Sequence, residues 1–273
     1  MDSSTPFDRK AVRANRARIA SKFSHHDFLV KEATSIIVRR IDEVKKSFPR
    51  ILDLGCHTGE LTEKLILKNP EQEIILADVS FEMAQIAKKR GLTSITTEEE
   101  LLPFKANSFD AIISCLSLHW VNDLPGTLIQ IRKILRPGGL FLASFFGGET
   151  LNELRLAFDK AEKTLNLDSS PHIAPFIDVR DAGNLLNRAQ FTNPVADIDT
   201  FTVSYESLFQ LMSELRGMGE SNACRNRNQN FTRRELFLST AENYQLIKEN
   251  NINRLPATFQ IVTVIGWSPK NEQ

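Results

Sequence analysis

The chain has 273 residues, of which 41% are hydrophobic and 25% are charged, and its 34 basic residues balance its 34 acidic residues. A net charge of zero gives no overall field that would draw the protein to nucleic acid or to an anionic membrane, so a polyanionic partner must be bound by a local patch. No apolar run approaches the roughly 18 residues that span a bilayer, which predicts a soluble globular protein.

The first segment of the chain is basic, with cationic side chains recurring over about four helical turns. These side chains are Arg9, Lys10, Arg13, Arg16, Arg18 and Lys22. Such a run is usually a solvated helix face, and the alternative is a patch that receives an acidic partner. Asp2 and Asp8 argue against a transit peptide.

The three cysteines, Cys56, Cys115 and Cys224, are far apart and form no Cys-x-x-Cys pair. We therefore expect neither a disulfide framework nor a zinc site, and no metal is predicted. Free cysteines of this kind fit a reducing compartment.

Short apolar runs alternate with helical patterns through the first half of the chain, which is typical of a parallel sheet with crossover helices. Strands are predicted at residues 50–54, 73–77, 110–115 and 140–145, and helices at 61–67, 81–90 and 124–135. A turn is expected at Arg136-Pro137-Gly138-Gly139, before the fourth of these strands.

The second half is less regular. A helix at about 150–165 belongs to an insertion over residues 147–176, and a helix at 181–189 and strands at 195–203 and 257–267 follow. We divide the chain into an N-terminal helical segment covering the site (1–45), a core (46–204), a helical lid (205–256), and a last strand with the tail (257–273). So long a connection between two strands usually forms a lid or a binding element.

The first strand leads into Asp53-Leu54-Gly55-Cys56-His57-Thr58-Gly59 and then a helix. Glycines there allow a sharp turn and a close ligand approach at the carboxyl end of a strand. The alternative is an ordinary strand-to-helix turn, which can have the same sequence pattern. Asp78 ends the next strand, where an acid can accept both hydroxyls of a ribose, unless it or Ser80 only caps the next helix. An acid of the following loop, Glu98 or Glu99, can accept an adenine amino group, although the loop alone reads as a solvated turn.

In order, these motifs with Leu102-Pro103-Phe104, Phe109-Asp110 and Arg136-Pro137-Gly138-Gly139 resemble the type 11 group of S-adenosylmethionine-dependent methyltransferases. The resemblance implies a Rossmann-like class I methyltransferase fold: a mostly parallel seven-stranded sheet with helices on both faces and a helical lid. It implies S-adenosyl-L-methionine as the cofactor, bound by Asp53, Gly55, Cys56, His57, Gly59, Asp78, Val79, Met83, Glu98, Glu99, Ser114 and Leu116. The family normally has glycine where His57 stands, so His57 either turns outward or lowers the cofactor affinity.

After the third predicted strand, Leu118-His119-Trp120-Val121-Asn122-Asp123-Leu124-Pro125 resembles two related families. One is the malonyl-acyl-carrier-protein O-methyltransferase of biotin synthesis, and the other is the mitochondrial complex I assembly factor 5. Enzymes that methylate amide or base nitrogens resemble one another in an Asn/Asp-Pro-Pro-aromatic sequence at this strand end. This chain lacks that sequence, which disfavours DNA and glutamine methylation.

Further motifs resemble the assembly factor more than the carrier-protein enzyme: Phe7-Asp8-Arg9, the sequences at 145–151 and 170–176, Gly217-Met218-Gly219-Glu220-Ser221-Asn222, and the sequence at 256–260. That family implies hydroxylation of an arginine on an iron–sulfur subunit of respiratory complex I. Because the pattern starts at Phe7, with no room for a presequence, we expect a bacterial cytoplasmic protein, with the mitochondrial matrix as the alternative.

Catalytic candidates are few. His119 and His172 are possible bases and Trp120 a possible wall around the methyl group, although each is as well explained as a packed core residue. No iron-binding facial triad stands out. Arg225 and Arg227, beyond the loop at 217–222, are candidates for contacting the acceptor. Three functions stay open: an enzyme acting on a protein arginine, a carboxyl O-methyltransferase acting on a carrier protein, and a SAM-binding assembly chaperone without turnover.

Overall fold

A computed structural model describes residues 5–228 and 233–270. Residues 1–4, 229–232 and 271–273, which belong to the predicted N-terminal segment, lid and tail, lie outside the described residues, and Asp2 is among them. The helices are α1 (Arg9–Ile19), α2 (Phe28–Glu43), α3 (Glu60–Lys68), α4 (Phe81–Lys89), α5 (Leu124–Ile134), α6 (Asn152–Thr164), α7 (Val179–Arg188), α8 (Leu208–Gly217) and α9 (Arg234–Glu242). The strands are β1 (Arg50–Leu54), β2 (Glu73–Asp78), β3 (Thr93–Thr96), β4 (Phe109–Cys115), β5 (Leu135–Phe146), β6 (Thr192–Tyr205), β7 (Ile247–Glu249) and β8 (Ile252–Trp267).

The strands form one sheet in the order β3-β2-β1-β4-β5-β8-β6, and β7 pairs with β8 beside this path. The five strands from β3 to β5 are parallel, whereas β8 runs antiparallel to both β5 and β6. This arrangement confirms the predicted mostly parallel, Rossmann-like sheet. Within the described residues the sheet has eight strands, one more than the seven predicted, because the short β7 forms a hairpin with the start of β8.

Each element is explained by its apolar pattern. Strands β1 and β4 are buried on both faces, since helices cover the sheet on both sides. Helices α2, α3, α4 and α6 pack on one face together with α8 and α9, and α5 and α7 pack on the other. Ser80 caps α4 through its hydroxyl, which accepts from the Met83 amide at 3.3 Å, so Asp78 is not the cap.

Two details of the predicted elements are wrong. Strand β3, with two half-buried and two exposed residues, is too short and polar to have an apolar signature, and it was not predicted. The turn expected at Arg136-Pro137-Gly138-Gly139 is an irregularity inside β5, where the pairing with β4 shifts register between Phe109 and Ala111. Within the described residues, no helix is both long enough and apolar enough to cross a membrane.

Candidate functional site

The carboxyl ends of β1, β2 and β4 meet at one edge of the sheet, where open parallel sheets bind their ligands. The predicted cofactor residues follow these ends: Asp53, Gly55, Cys56, His57 and Gly59 after β1; Asp78, Val79 and Met83 after β2; Glu98 and Glu99 after β3; and Ser114 and Leu116 after β4. All of them are buried except the half-buried Glu98. The structure therefore brings the whole predicted set together.

The loop after β1 is tightly wound. Gly55 has a φ of 73°, and a Cβ at this position would lie 2.0 Å from the hydroxyl oxygen of Ser117. His57 also has a positive φ, of 50°, although it carries a side chain. Its ring turns inward: Nε2 donates to the carbonyl of Cys115 at 3.0 Å, and the ring stacks on Phe23 at 5.1 Å between centroids. Burial, and then the charge of Arg16, lowers the pKa of His57 to about 3, so the imidazole is neutral.

Asp78 is fully buried and accepts three hydrogen bonds. Its Oδ1 accepts from the Ser80 amide at 2.8 Å, and its Oδ2 accepts from the His57 amide at 3.0 Å and from Nη1 of Arg16 at 3.0 Å. Burial raises the pKa of Asp78, and the neighbouring Arg16 opposes that shift. This carboxylate is positioned to bind hydroxyl donors at the end of β2.

Unpaired polar atoms at neighbouring strand ends fit the amino-acid end of S-adenosylmethionine. Asp53 Oδ2 accepts from the Thr62 hydroxyl at 2.6 Å, but Asp53 Oδ1, Ser114 Oγ and His57 Nδ1 are buried without a partner among the described residues. Burial, reinforced by the charges of Glu60 and Asp78, raises the pKa of Asp53 to about 7. A buried carboxylate of this kind gains a great deal from a bound ammonium group. The residues present therefore fit the predicted cofactor.

Helix α1 crosses the same edge, and its arginines are not the solvated face that their spacing suggests. Arg16 is 3% exposed, and besides binding Asp78 it donates from Nη2 to the Ser117 hydroxyl at 2.9 Å. Arg9 binds Glu98, with 2.9 Å between Nη2 and Oε2, and also forms an ion pair with the fully buried Glu99. The remaining members, Lys10, Arg13, Arg18 and Lys22, are exposed. Sequence reasoning missed these pairs because it treated the run as a surface.

A cavity of about 350 Å³ opens beside the sheet edge, between the β5–α6 region and helix α8. Aromatic residues form much of its wall: Trp120, Phe146, Phe158, Phe176, Phe237 and Phe259. Its polar lining includes Glu220, Asn222, Arg216, Arg227 and His172. A wider open groove shares Phe158, His172 and Phe176 with it and continues past Arg155 and Arg225. The shape suits a side chain in the cavity and a longer segment in the groove.

Glu220 links two of the predicted catalytic residues. Its Oε2 accepts from Nε1 of Trp120 at 2.9 Å and from Nε2 of His119 at 3.1 Å. The His119 ring is buried and contacts Phe146 at 4.9 Å between centroids, so it supports Glu220 from behind the cavity wall. Trp120 itself lines the cavity. The sequence analysis includes Glu220 in the motif at 217–222, but it does not predict that the Glu220 carboxylate lines a cavity.

His172, the third candidate, also lines the cavity. Its Nε2 is 2.7 Å from Oε1 of Glu162, and its ring stacks on Phe158 at 4.1 Å. It is therefore held by α6 and shared between the cavity and the groove. In the described ranges no group of three His, Cys, Asp or Glu side chains is arranged to hold a metal ion.

Comparison with known protein families gives a consistent assignment. The model of the "Methyltransferase domain" family matches residues 52–143. The chain is 40% identical to "Arginine-hydroxylase NDUFAF5, mitochondrial" of Homo sapiens, covering 98% of this chain and 78% of that protein. It is 38% identical to the protein of the same name from Danio rerio, covering 98% and 84%. It is 36% identical to "Malonyl-[acyl-carrier protein] O-methyltransferase" of Xylella fastidiosa, covering 97% and 90%.

Solved structures agree on the fold. The YcgJ protein of Bacillus subtilis is 13% identical, with a TM-score of 0.58 over 88% of this chain and 100% of that one. A phosphoethanolamine N-methyltransferase of Haemonchus contortus, solved in complex with S-adenosyl-L-methionine, is 16% identical, with a TM-score of 0.56 over 95% and 60%. At these identities the likeness shows the fold alone.

Proposed function

The chain belongs to the S-adenosylmethionine-dependent methyltransferase family that includes the arginine hydroxylases and the malonyl-acyl-carrier-protein O-methyltransferases, and on that premise we propose that it is an enzyme of the complex I assembly type that acts on an arginine of a protein subunit. The observation that carries this proposal is Glu220, a carboxylate at the aromatic end of the cavity beside the cofactor edge.

A guanidinium group is what this end of the cavity suits. It is planar and always charged, it stacks on aromatic faces, and it pairs with carboxylates through parallel hydrogen bonds. Trp120, Phe146 and Phe176 provide the aromatic surfaces, and Glu220 provides the charge. Because His119 and Trp120 both donate to Oε2, the carboxylate is held in one orientation, and Oε1 is left for the guanidinium.

The acceptor enters through the open groove in this proposal. An arginine has to reach the cavity from a polypeptide, and the groove that shares Phe158 and His172 with the cavity provides room for the flanking residues. Arg225 is exposed at this groove, where it can pair with an acidic residue of the acceptor. The chain's own residues thus bind and orient the arginine and exclude water from it.

The two chemistries differ in what they add to the acceptor. S-adenosylmethionine, when bound, supplies an electrophilic methyl group in this family, and proximity alone then provides much of the rate. Hydroxylation instead converts a C–H bond into C–OH, so it requires an external oxidant: molecular oxygen supplies one oxygen atom to the product, and two electrons from a reductant convert the other into water. We propose hydroxylation, as in the name of the relatives that share 38% and 40% identity with this chain.

A second candidate is methylation of a malonyl-acyl carrier protein. It is favoured by Arg216 and Arg227, two cations that line the same cavity and fit a carboxylate acceptor. Arg227 is also paired with Asp8, at 3.1 Å, and donates to the Cys224 carbonyl at 2.7 Å, which reduces its availability. The relative from Xylella fastidiosa supports this candidate at 36% identity.

Intact-mass analysis of the acceptor distinguishes the candidates. The purified protein is incubated in air with methyl-labelled S-adenosylmethionine and a reductant, in one arm with a complex I iron–sulfur subunit and in the other with malonyl-acyl carrier protein. A gain of one oxygen on an arginine supports the proposal, whereas a labelled methyl group on the carrier protein establishes the second candidate. Cofactor binding without any mass change in either arm contradicts both and favours the non-catalytic assembly chaperone.

The proposed setting is a reducing compartment, the bacterial cytoplasm or the mitochondrial matrix. All three cysteines are free and buried, which is compatible with such a compartment. The proposed partner is the protein acceptor itself.

A further inference from the structure

Arg16 occupies the place where the predicted cofactor residues would meet a nucleoside. Its guanidinium binds Asp78, the acid that ends β2, and Ser117, whose hydroxyl packs against Gly55 of the glycine loop. The side chain is 3% exposed, so the space between these residues is filled by the chain itself.

The neighbouring acid is neutralised in the same way. Glu99 is fully buried, forms an ion pair with Arg9, and lies 3.7 Å from Nη1 of Arg16. Arg9 and Arg16 are seven residues apart on α1, which places both on one face of the helix, toward the sheet edge. The helix therefore supplies two cations to two acids that the sequence assigns to ribose and adenine.

Such pairs hold each other in place. A buried carboxylate that loses its cation is strongly destabilised unless another donor replaces it. Asp78 already accepts from the Ser80 and His57 amides, so the bond from Arg16 is the one that a ligand can exchange without unwinding the loop. Ribose hydroxyls offer suitable replacement donors.

We propose that Arg16 is an internal competitor of the cofactor: its guanidinium holds the nucleoside end of the site closed and must leave Asp78 and Ser117 before S-adenosylmethionine binds. Arg16 thereby sets the cofactor affinity, because the apparent dissociation constant equals the intrinsic constant divided by the fraction of molecules in which the site is open. The inference rests on the cofactor assignment and is independent of which acceptor reaction follows.

The dissociation constant of S-adenosylhomocysteine, measured by calorimetry on the full chain, tests this. In Arg16→Gln the competitor is gone, and we expect binding to tighten about tenfold, equal to about 1.4 kcal/mol in the opening equilibrium. Arg16→Lys keeps the charge but loses the forked geometry that reaches both Asp78 and Ser117, so its affinity falls between the two. The matched control is Arg18→Gln, which removes the same charge from the same helix but contacts Asn15 and Ser221 instead of the acids.

Binding that is weaker or unchanged in Arg16→Gln overturns the proposal, because Arg16 would then be a cofactor ligand or a spectator. Absence of binding in both the wild type and Arg16→Gln also overturns it, since the acids would not form a cofactor site. If Arg16→Gln fails to fold, amide hydrogen exchange of the wild type decides. The proposal predicts faster exchange in α1 when S-adenosylhomocysteine is added, and slower exchange contradicts it. A negative result in the acceptor assays affects neither readout.

Discussion

The acidic side chains at the cofactor edge and in the neighbouring cavity differ in whether they are paired with arginines. At the edge, Asp78 and Glu99 are fully buried and are paired with Arg16 and Arg9 of α1. In the cavity, Glu220 accepts from Trp120 and His119 and, among the described residues, forms no ion pair with an arginine or lysine, although Arg216 and Arg227 line the same cavity. The acids of the edge are thus paired with the chain's own cations, whereas the Glu220 carboxylate is left for a cation from outside.

The difference follows from where the cations lie on the chain. Helix α1 presents Arg9 and Arg16 to the loops after β2 and β3. It meets the cavity side through Asn15, which donates to the Ser221 carbonyl at 3.0 Å, and through Phe7, which precedes the helix and packs against Trp120 at 5.2 Å. Two adjacent sites thus differ in whether a ligand must first displace a protein group. The affinity for the cofactor is limited by competition with Arg16. The affinity for the acceptor depends on the side chains that line the cavity.

The largest effect is expected for Asp78→Asn at the edge. Losing a buried charged acceptor removes a hydrogen bond worth about 1.5–3 kcal/mol, so we expect the affinity for S-adenosylhomocysteine to fall about a hundredfold. Calorimetry measures the affinity, and thermal unfolding checks that the chain still folds with Arg16 left beside an amide. Asp110→Asn is the control, because Asp110 pairs with Arg136 at the start of β4, away from the edge. Equal affinity in the two variants would show that Asp78 is not a cofactor residue.

Glu220→Gln tests the cavity in the same way. A neutral amide keeps the shape and loses the charge, so the KM for the protein acceptor should rise about ten- to thirtyfold, with little change in cofactor affinity. Steady-state kinetics with the acceptor separates KM from kcat. The control is Glu214→Gln, which replaces an acid of α8 that pairs with His26 at 3.0 Å outside the cavity. A fall in kcat with an unchanged KM would assign Glu220 a chemical role instead of a binding role.

Much of the edge was predictable from sequence, since the spacing of Asp53, Gly55 and Asp78 relative to apolar strands places them at adjacent strand ends whatever the details of packing. β1 was predicted with the bounds that it has, Arg50–Leu54. Predictions of this kind succeed because a parallel sheet fixes which loops share an edge.

The contacts made across the fold were not predictable. Nothing local in the sequence near Arg16 indicates that it meets Asp78, 62 positions away, and a basic helix face has the same pattern whether it faces solvent or buried acids. Glu220 likewise depends on the segment after α8 returning to Trp120, 100 positions earlier. Helical periodicity gives the face of an element but not what covers it.

The Asp53 carboxyl makes the edge pH-sensitive. Its pKa of about 7, raised by burial and by Glu60 and Asp78, means that it is mostly protonated at pH 6 and mostly ionised at pH 8. Since an ammonium group requires the carboxylate, the affinity for S-adenosylhomocysteine should rise about tenfold over that range. The stability of the ligand-free protein changes in the opposite sense: its contribution from Asp53 is greatest below pH 4 and is lost as the pH rises to about 7.

Asp53→Asn provides the check on this pH dependence. The amide has no ionisation near neutrality, so the affinity should be flat between pH 6 and 8. A slope that persists in Asp53→Asn would assign the titration to another group at the edge, such as Glu60, whose pKa is also raised by burial.

The smallest effect is expected for His57→Gly, which restores the residue that the family normally has. Glycine adopts a φ of 50° without strain, and it removes a ring that is 3% exposed between Phe23 and Cys115. The strain relief of about 1–2 kcal/mol is offset by the lost stacking and hydrogen bond, so stability should barely change. Affinity should rise about three- to fivefold, because the amino-acid end of the site gains room.

Asn107→Gly is the control for His57→Gly. It removes a side chain from a similar φ, of 56°, at an exposed turn far from the edge, so it should leave the affinity unchanged. If His57→Gly instead weakens binding, the imidazole is a cofactor contact and its unpaired Nδ1 accepts from the ligand. That outcome would assign His57 to cofactor binding and leave unchanged the contrast between the edge and the cavity, which rests on Arg16 and Arg9 of α1.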